Sequence, residues 1–306
     1  MNTPRQLRIY GNLVLRRQAI AAVRKFFSLQ DFLEVETPVR IPAPAPESHI
    51  EAICAEGAFL QTSPEIYMKR LLAAGYNRIF QICKTFRAKE RGSRHLPEFT
   101  MLEWYAADAA YHDLMTQTEH LVHFVCEQVL GVGHLRYQGA LINLDPPWPR
   151  ISVEEAFRRH TRTSMQGALA DGSFDERMAL EIEPALDTRR PVFLYDYPAE
   201  KAALARRRAD SPELAERFEA YLGGLEICNG FTELTDPAEQ RRRFEAELRR
   251  RRQNGRKVYP MPEPFLSELS RMPQAAGNAL GIDRLVMLIA DAPAIDDVTA
   301  FVPEEY

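Results

Sequence analysis

Two arginines in this 306-residue chain occupy positions from which they could hold a nucleoside triphosphate. Arg87 ends an alternating segment, residues 78–87, on the side opposite its apolar residues, and Arg284 follows a glycine turn far along the chain. A guanidinium binds phosphate oxygens through paired hydrogen bonds and stabilises charge that develops during a displacement. Phe99 adds an aromatic plane on which a purine could stack, with a gain of about 1–3 kcal/mol. The combination predicts an adenylate-forming enzyme, although Arg87 taken alone is better explained by a surface ion pair.

Residues 98–106 alternate in the same way and place a carboxylate and a phenol on one side. Phe99, Glu103 and Tyr105 share strand parity, so we expect them on one face of an extended strand. Glu103 and Tyr105 suit a polar substrate, and a core strand with one tolerated carboxylate is the alternative. Together with residues 78–87, this segment predicts a long antiparallel hairpin.

A third polar group lies in residues 222–234, which read as a strand entering a polar site. Two carboxylates and an amide, from Glu226, Asn229 and Glu233, suit a cationic substrate amine and a magnesium ion that bridges phosphates. Asn229 and Glu233 share parity but Glu226 does not, so one site can use all three only if the strand bends, which Gly230 would permit. An exposed strand edge explains the segment equally well.

The segment that carries Arg284 reads as strand, turn and helix. Gly277 and Gly281 would let a ligand approach the backbone closely, and the helix that follows carries Arg284. The pattern is not a phosphate-binding P-loop, because no Gly-Lys-Ser/Thr follows the glycines. A glycine pattern of this kind is, by itself, weak evidence for a ligand site.

The remaining elements predict an α+β domain around a largely antiparallel sheet, with all of residues 1–306 in one domain. Residues 140–220 carry no recognisable motif, although Val192 to Tyr195 suit a strand. Apolar periodicity predicts helices at residues 12–30, 112–130, 237–253 and 281–290.

Composition sets outer limits on function. The net charge of −4 gives no general attraction to nucleic acid or an anionic membrane. None of the four cysteines stands in a Cys-x-x-Cys pair, so neither a zinc site nor a redox pair is indicated, and a reducing cytoplasm is expected. No apolar run is long enough to cross a membrane, and the N-terminal residues lack the apolar stretch of a signal peptide, so neither feature is expected.

Taken together, these segments resemble the catalytic domain of class II aminoacyl-tRNA synthetases. Within that class the likeness is to lysyl-tRNA synthetases and to their short paralogues, the elongation factor P lysine ligases, and it covers nearly the whole chain. The three ordered motifs of the class correspond to residues 19–38, 80–106 and 277–289, and the lysine-class substrate segments correspond to residues 63–65 and 226–234.

The resemblance implies a role for each matching residue. Arg87 would hold the α-phosphate of ATP, Arg284 the γ-phosphate, and Glu226 a Mg²⁺ ion. ATP contacts are implied at Arg87, Ala88, Lys89, Glu90, His95, Leu96, Phe99, Glu226, Ile227, Gly281 and Arg284. Contacts with the amino acid are implied at Ser63, Pro64, Glu65, Glu103, Tyr105, Asn229, Glu233 and Ala279.

Two positions depart from the family pattern. The family has a glutamate two residues after the motif arginine, whereas this chain has Lys89 and then Glu90, so only a shifted loop would let Glu90 serve adenine. The family asparagine after His95 is Leu96 here, so its polar contact must be absent or replaced. Both departures concern the adenine side of the site.

The likeness also bears on the acceptor. Only 18 residues precede the segment 19–38, too few for the anticodon-binding domain of a lysyl-tRNA synthetase, so we expect a lysine side chain of elongation factor P as acceptor rather than tRNA. Ala279 stands where the synthetase has glycine, and the resemblance associates this alanine with a lysine isomer, (R)-β-lysine. Either lysine or (R)-β-lysine is therefore expected as the substrate. The first motif also implies a homodimer.

Two other interpretations remain open. A truncated lysyl-tRNA synthetase would keep the chemistry and charge tRNA, and a non-catalytic regulatory paralogue would explain Lys89 and Leu96. The arginine-rich helix within residues 241–257 could steer an acidic acceptor, or it could be a solvated helix face in which glutamates are interleaved.

Overall fold

An eight-stranded sheet forms the centre of the fold in a computed structural model that describes residues 4–202 and 204–305. In chain order the strands are β1 (Leu33–Glu34), β2 (Arg40–Ile41), β3 (Cys54–Ala55), β4 (Ala58–Leu60), β5 (Arg78–Phe86), β6 (Glu98–Ala107), β7 (His134–Tyr137), β8 (Ala140–Asn143), β9 (Arg150–Ser152), β10 (Val192–Pro198), β11 (Leu214–Leu222), β12 (Leu225–Thr232) and β13 (Ala275–Gly281). The helices are α1 (Arg5–Arg8), α2 (Tyr10–Ser28), α3 (Glu65–Ala73), α4 (Tyr111–Leu130), α5 (Val153–His160), α6 (Met165–Asp171), α7 (Phe174–Arg177), α8 (Pro237–Gln253), α9 (Glu263–Glu268) and α10 (Ile282–Ile289).

The strand order of the main sheet is β1-β5-β6-β13-β12-β11-β10-β9. Its inner pairs are antiparallel, and only the pairs at its two edges, β1 with β5 and β9 with β10, are parallel. The predicted α+β fold with a largely antiparallel sheet is therefore confirmed. Two small sheets, β2-β4-β3 and β7-β8, lie apart from it.

The two faces of the main sheet serve different purposes. Phe80, Leu102 and Trp104 lie on one face and pack in the main apolar core with residues of α2, α4 and α10. Because side chains alternate along a strand, Gln81 and Glu103, which pair across β5 and β6, point to the other face. The predicted hairpin therefore separates an apolar side from a polar side.

Most predicted elements are present with small shifts in their ends. The predicted helix 237–253 has the bounds of α8, the helix 112–130 becomes Tyr111–Leu130, and the helix 12–30 becomes Tyr10–Ser28. The four cysteines are free. Within the described residues, no helix combines the length and apolar character needed to cross a membrane.

Strand β11 was not predicted, because it lies in the stretch 140–220 that showed no motif. It pairs with β10 and β12 and is central to the candidate site described below.

The arginine-rich helix is less exposed than a solvated face would be. Arg251 is fully buried; its guanidinium donates to the carbonyls of Glu47 at 2.6 Å, Ile50 at 2.7 Å and Lys257 at 2.7 Å, and to the Tyr259 hydroxyl at 2.7 Å. Arg251 therefore fastens the 47–50 loop to α8, and the expectation that it belongs to a surface patch is wrong.

Replacing Arg251 by methionine should lower the free energy of unfolding by about 3 kcal/mol, because it leaves several buried carbonyls without donors. The neighbouring Arg252 is exposed, so Arg252→Met is the matched control and should change stability by less than about 0.5 kcal/mol. Urea unfolding of the two variants measures the difference. Equal stabilities would contradict the assigned role of Arg251.

Candidate active site

A cavity of about 930 Å³ lies over the polar face of the sheet. Its floor is built from β6, β13, β12 and β11, and its walls include the start of α3, the end of α8 and the segment around α6 and α7. It holds most of the residues predicted to bind the amino acid.

One row of side chains crosses the floor from strand to strand. Glu103 pairs with Ala279, Ala279 with Asn229, and Asn229 with Glu219. Paired residues on neighbouring strands share a face of the sheet, so the register brings these four together. Three of them were predicted from the sequence, and Glu219 was not.

A second row contains a glycine that the site requires. Tyr105 pairs with Gly277, and Gly277 with Phe231. A Cβ on Gly277 would lie 2.2 Å from Cε1 of Tyr105 and 2.6 Å from Oε1 of Glu233, far inside contact distance. Gly277 thus makes room for a phenol and a carboxylate to approach each other over the strand.

The acidic part of the cavity is built around Glu103. The Ser63 hydroxyl donates to Oε1 of Glu103 at 2.6 Å, and the Tyr105 hydroxyl donates to Oε2 at 2.9 Å. Pro64 stands at the start of α3, and the backbone N–H of Glu65 donates to Ser63 Oγ at 2.9 Å. The predicted segment 63–65 therefore does lie beside Glu103.

Lys69 is a buried charged residue of this region that the sequence did not single out. Its ammonium is fully buried; it pairs with Glu65 one helical turn earlier and with Glu233 at 2.5 Å, and it lies 5.1 Å from the Phe231 ring centroid. The spacing of Glu65 and Lys69 on a helix, four residues apart, is the signal that could have indicated this pair.

Burial raises the pKa of two carboxyls in this pocket. The pKa of Glu103 rises to about 8 through burial and the neighbouring charge of Glu65, and hydrogen bonds from Ser63 and Tyr105 oppose the rise. The pKa of Glu233 also rises to about 8 through burial, against the attraction of Lys69. Oε1 of Glu233 has no hydrogen-bond partner among the described residues. A cation bound in this pocket would therefore stabilise the ionised forms of the two carboxyls.

A β-bulge, and not Gly230, brings Glu226 to this face. Tyr221 pairs with Glu226 but Ala220 pairs with Cys228, so Ile227 is the extra residue on β12 and its side chain packs in the apolar core. The bulge shifts the alternation by one residue. Gly230 lies instead against Phe218, where a Cβ would come within 2.6 Å of the ring.

Arg217 and Glu219 on β11 complete the floor. The Arg217 guanidinium donates to Asn229 Oδ1 at 3.0 Å and to Glu219 Oε1 at 2.6 Å. Glu219 Oε2 accepts from the hydroxyls of Tyr197 at 2.6 Å and Tyr221 at 2.7 Å. Arg217 therefore fixes the orientation of two polar groups on adjacent strands.

The two predicted phosphate arginines flank His95. Arg87 lines the cavity and lies 5.2 Å from the Phe99 ring centroid. Arg284 is not among the residues that line the cavity; its Nη1 donates to Glu226 Oε2 at 3.2 Å and its Nη2 contacts His95 Nε2 at 2.6 Å. Burial and then the charge of Arg284, with a smaller contribution from Arg87, lower the pKa of His95. Both cations thus act on one imidazole.

Comparison with known proteins identifies the family. The profile of tRNA synthetases class II (D, K and N) matches residues 1–305. The chain belongs to this family. Lysine–tRNA ligases from Carboxydothermus hydrogenoformans and Moorella thermoacetica are each 36% identical to it, and the one from Pelotomaculum thermopropionicum is 37% identical. Each alignment covers 94% of this chain and 62–64% of the relative, so the chain spans less than two thirds of their length.

Three residues predicted to contact ATP have side chains placed elsewhere in this class II domain. The Lys89 side chain is 82% exposed and pairs with Glu51, and Leu96 is buried in the apolar core. The side chain of Ile227 lies in the same core, so any contact there would be made by its backbone. Contacts of these three residues with ATP remain predictions.

The other nucleotide-side residues remain candidates. The backbone N–H of Ala88 donates to Glu51 O at 2.7 Å, and Glu90 is half-buried and acts on His95 through its charge. At Gly281 a Cβ would meet nothing nearer than 3.8 Å, which is the side chain of Arg284. The space above Gly281 is therefore free among the described residues.

The residues present fit the Mg²⁺ that the family implies. No group of three or more His, Cys, Asp or Glu side chains poised for a metal occurs in residues 4–202 and 204–305. Mg²⁺ at phosphate sites usually takes one or two carboxylates together with substrate phosphates and water. The bulge puts Glu219 and Glu226 on one face of the sheet, next to Arg284, and these carboxylates would hold the ion.

Replacing Gly277 by alanine should lower the free energy of unfolding by about 1–3 kcal/mol, because the methyl group collides with Tyr105 and Glu233 and forces both to move. Gly281→Ala on the same strand is the matched control, since its Cβ has space. Urea unfolding should show a loss for the first variant and almost none for the second. Similar losses in both would contradict the close approach at Gly277.

The ligand-free protein should lose stability as the pH rises from about 5 to about 8. Glu103 and Glu233 have ordinary pKa values near 4.5 when unfolded and about 8 when folded. The folded state therefore holds more protons in this window, and the free energy of unfolding falls with pH.

The loss should be on the order of a few kcal/mol, because one unit of pKa shift corresponds to about 1.4 kcal/mol. Glu103→Gln removes one titrating group, so the slope of unfolding free energy against pH should become shallower. The exposed Glu98 on the same strand provides the control Glu98→Gln, with an unchanged slope. A parental stability that is flat or rising over this window would rule out the raised pKa values.

Proposed function

We propose that this chain is an ATP-dependent ligase that activates lysine or (R)-β-lysine as an aminoacyl-adenylate. The observation that carries the proposal is the charge balance of the buried pocket. The ammonium of Lys69 lies among three carboxyls, those of Glu65, Glu103 and Glu233. When all three are ionised, two negative charges are left without a positive partner. A diamino acid brings two ammonium groups, and the named activity of the relatives, lysine–tRNA ligase, agrees.

The proposed first step is attack of the amino-acid carboxylate on the α-phosphorus of ATP, with release of pyrophosphate. Arg87 would stabilise the charge on the α-phosphate, and Arg284 would bind the γ-phosphate beside Glu226. Bound Mg²⁺ would neutralise charge on the phosphates. The chain's own contribution is positioning and electrostatic stabilisation, and no covalent enzyme intermediate is needed.

For the second step we propose transfer of the aminoacyl group to a lysine side chain of elongation factor P, which gives an amide. Ala279 supports this acceptor class indirectly: its methyl group lies on the cavity floor between Glu103 and Asn229, where the resemblance associates alanine with the β-lysine substrate. Charging of tRNA is the second candidate, and the identity to lysine–tRNA ligases favours it.

A homodimer through the first motif is part of the same proposal. Leu29 and Leu33, which follow the end of α2, are exposed apolar residues, as an interface between two copies would require.

The activation step is tested by ATP–pyrophosphate exchange with a panel of amino acids. Lysine or (R)-β-lysine should stimulate exchange, and Arg87→Ala should reduce it at least about 100-fold because a charge-stabilising donor at the reacting phosphate is lost. Arg136 is exposed on the distant β7-β8 hairpin, so Arg136→Ala should match the parent. No exchange with any amino acid would reject the ligase, and Arg87→Ala activity within tenfold of the parent would reject the role of Arg87.

The acceptor is tested by incubation with ATP, radiolabelled amino acid and either elongation factor P or lysine tRNA. Label that stays on elongation factor P after alkaline treatment indicates an amide. Label on tRNA that alkali releases indicates an ester, and would replace the proposed acceptor.

A further inference from the structure

Glu47 is a carboxyl in the cavity to which the proposed activation step gives no role. Its side chain lines the cavity together with Ser63, Glu65 and Arg87, outside the row formed by Glu103, Ala279 and Asn229. The pairing of Lys69 with Glu65 and Glu233 leaves Glu47 without a contact to that ammonium. It therefore stands beside the phosphate arginine and not in the centre of the amino-acid pocket.

The backbone around Glu47 is held rigidly. The buried Arg251 donates to the Glu47 carbonyl at 2.6 Å and to the Ile50 carbonyl at 2.7 Å. The Ser48 N–H donates to Glu247 Oε2 at 2.9 Å. A carboxyl presented by a loop that is fastened on both sides meets the requirement for precise placement at a reacting centre.

Four charged groups face Glu47 from four parts of the fold: Glu65 on α3, Arg87 after β5, Arg217 on β11 and Glu247 on α8. Burial raises the pKa of Glu47 to about 7, Glu65 and Glu247 add to the rise, and the two arginines oppose it. A general base works best when its pKa lies near the operating pH. Glu47 can therefore both lose and accept a proton under physiological conditions.

We propose that Glu47 is the general base of the aminoacyl-transfer step. The inference rests on the proposed function and adds to it a catalytic residue for the second step. The neutral acceptor amine attacks the carbonyl carbon of the adenylate, a C–N bond forms, and the C–O bond to the phosphate breaks. AMP leaves with the bonding electron pair, and one proton of the attacking nitrogen passes to the Glu47 carboxylate.

The chemistry of the acceptor explains why such a base is useful. An amine nitrogen becomes cationic as it attacks an acyl carbon, so the intermediate reverts unless a proton is removed. Amide formation from a lysine side chain depends on that removal within the active site, whereas hydroxylamine is far more nucleophilic than its low basicity implies and captures an activated acyl group without help from a protein base. The ratio of products from these two acceptors therefore reports on the base and not on activation.

The experiment compares the parent with Glu47→Gln in single-turnover reactions with preformed enzyme-bound adenylate. Amide formation with Nα-acetyl-lysine amide should fall at least about 100-fold, the usual contribution of a general base. Hydroxamate formation with hydroxylamine, and ATP–pyrophosphate exchange, should remain within about threefold. The amide-forming rate is divided by the fraction of acceptor amine that is uncharged, because the pKa of that amine lies near 10.4. In the parent, this corrected rate should rise with pH and level off above about 7, and Glu47→Gln should lack that pH dependence.

Two further variants separate a base from a structural role. Glu47→Asp keeps the carboxylate and should recover at least part of the amide-forming rate. Glu200 also lines the cavity and is exposed, and Glu200→Gln should match the parent in all three assays.

Three outcomes would overturn the inference. Equal loss of amide and hydroxamate, or no loss of either, would show that Glu47 takes no proton from the acceptor. A raised KM for lysine in the exchange assay would make Glu47 a substrate ligand instead. Absence of exchange in the parent would reject the ligase itself, and the role of Glu47 with it, so the two failures are distinguishable.

Discussion

The structure depends most on one buried electrostatic arrangement, the ammonium of Lys69 between the carboxylates of Glu65 and Glu233. Removing charges from water costs several kcal/mol per ion. The attraction between opposite charges offsets that cost only when the groups are close and make further hydrogen bonds. Burial raises the pKa values of Glu103 and Glu233, the charge of Glu65 adds to the rise, and Lys69 offsets only part of it. At neutral pH the pocket therefore holds protons that a cationic ligand would displace. An acidic pocket of this kind would favour cationic ligands over neutral ones of similar size.

The main sheet fixes where the polar groups of the pocket lie. Strand register places Glu103, Ala279, Asn229 and Glu219 in one row, and backbone hydrogen bonds fix their spacing without any help from the side chains. The row can be polar because the opposite face is covered by α2, α4 and α10 and holds the main apolar core. Placing the groups on strands makes their positions more precise than loops would allow.

How far the sequence could predict this arrangement depends on the range of the interactions concerned. Strand parity is local, so Glu103 with Tyr105 and Asn229 with Glu233 could be assigned to common faces. The bulge at Ile227 could not, because it depends on pairing with β11, a strand whose own sequence showed no motif. Lys69 resembles an ordinary surface lysine until distant strands bury it, and Arg251 in an arginine-rich helix resembles a solvated charge for the same reason. Leu96 and Lys89 were assigned by resemblance to the family, which does not reveal that one side chain is buried in the core and the other exposed.

The same electrostatics relate the two proposed steps to each other. Arg87 lowers the pKa of Glu47 in the ligand-free protein, because its positive charge favours the ionised carboxyl. Once Arg87 is paired with the phosphate of an adenylate, less of that charge acts on Glu47, so the carboxylate becomes a stronger base. Its basicity would therefore increase as soon as the nucleotide is bound, because Arg87 would already hold the α-phosphate of ATP before the adenylate forms. An acceptor amine that arrived before the nucleotide would find a weaker base and no acyl group, so the strength of the base and the presence of an acyl group would both depend on nucleotide binding.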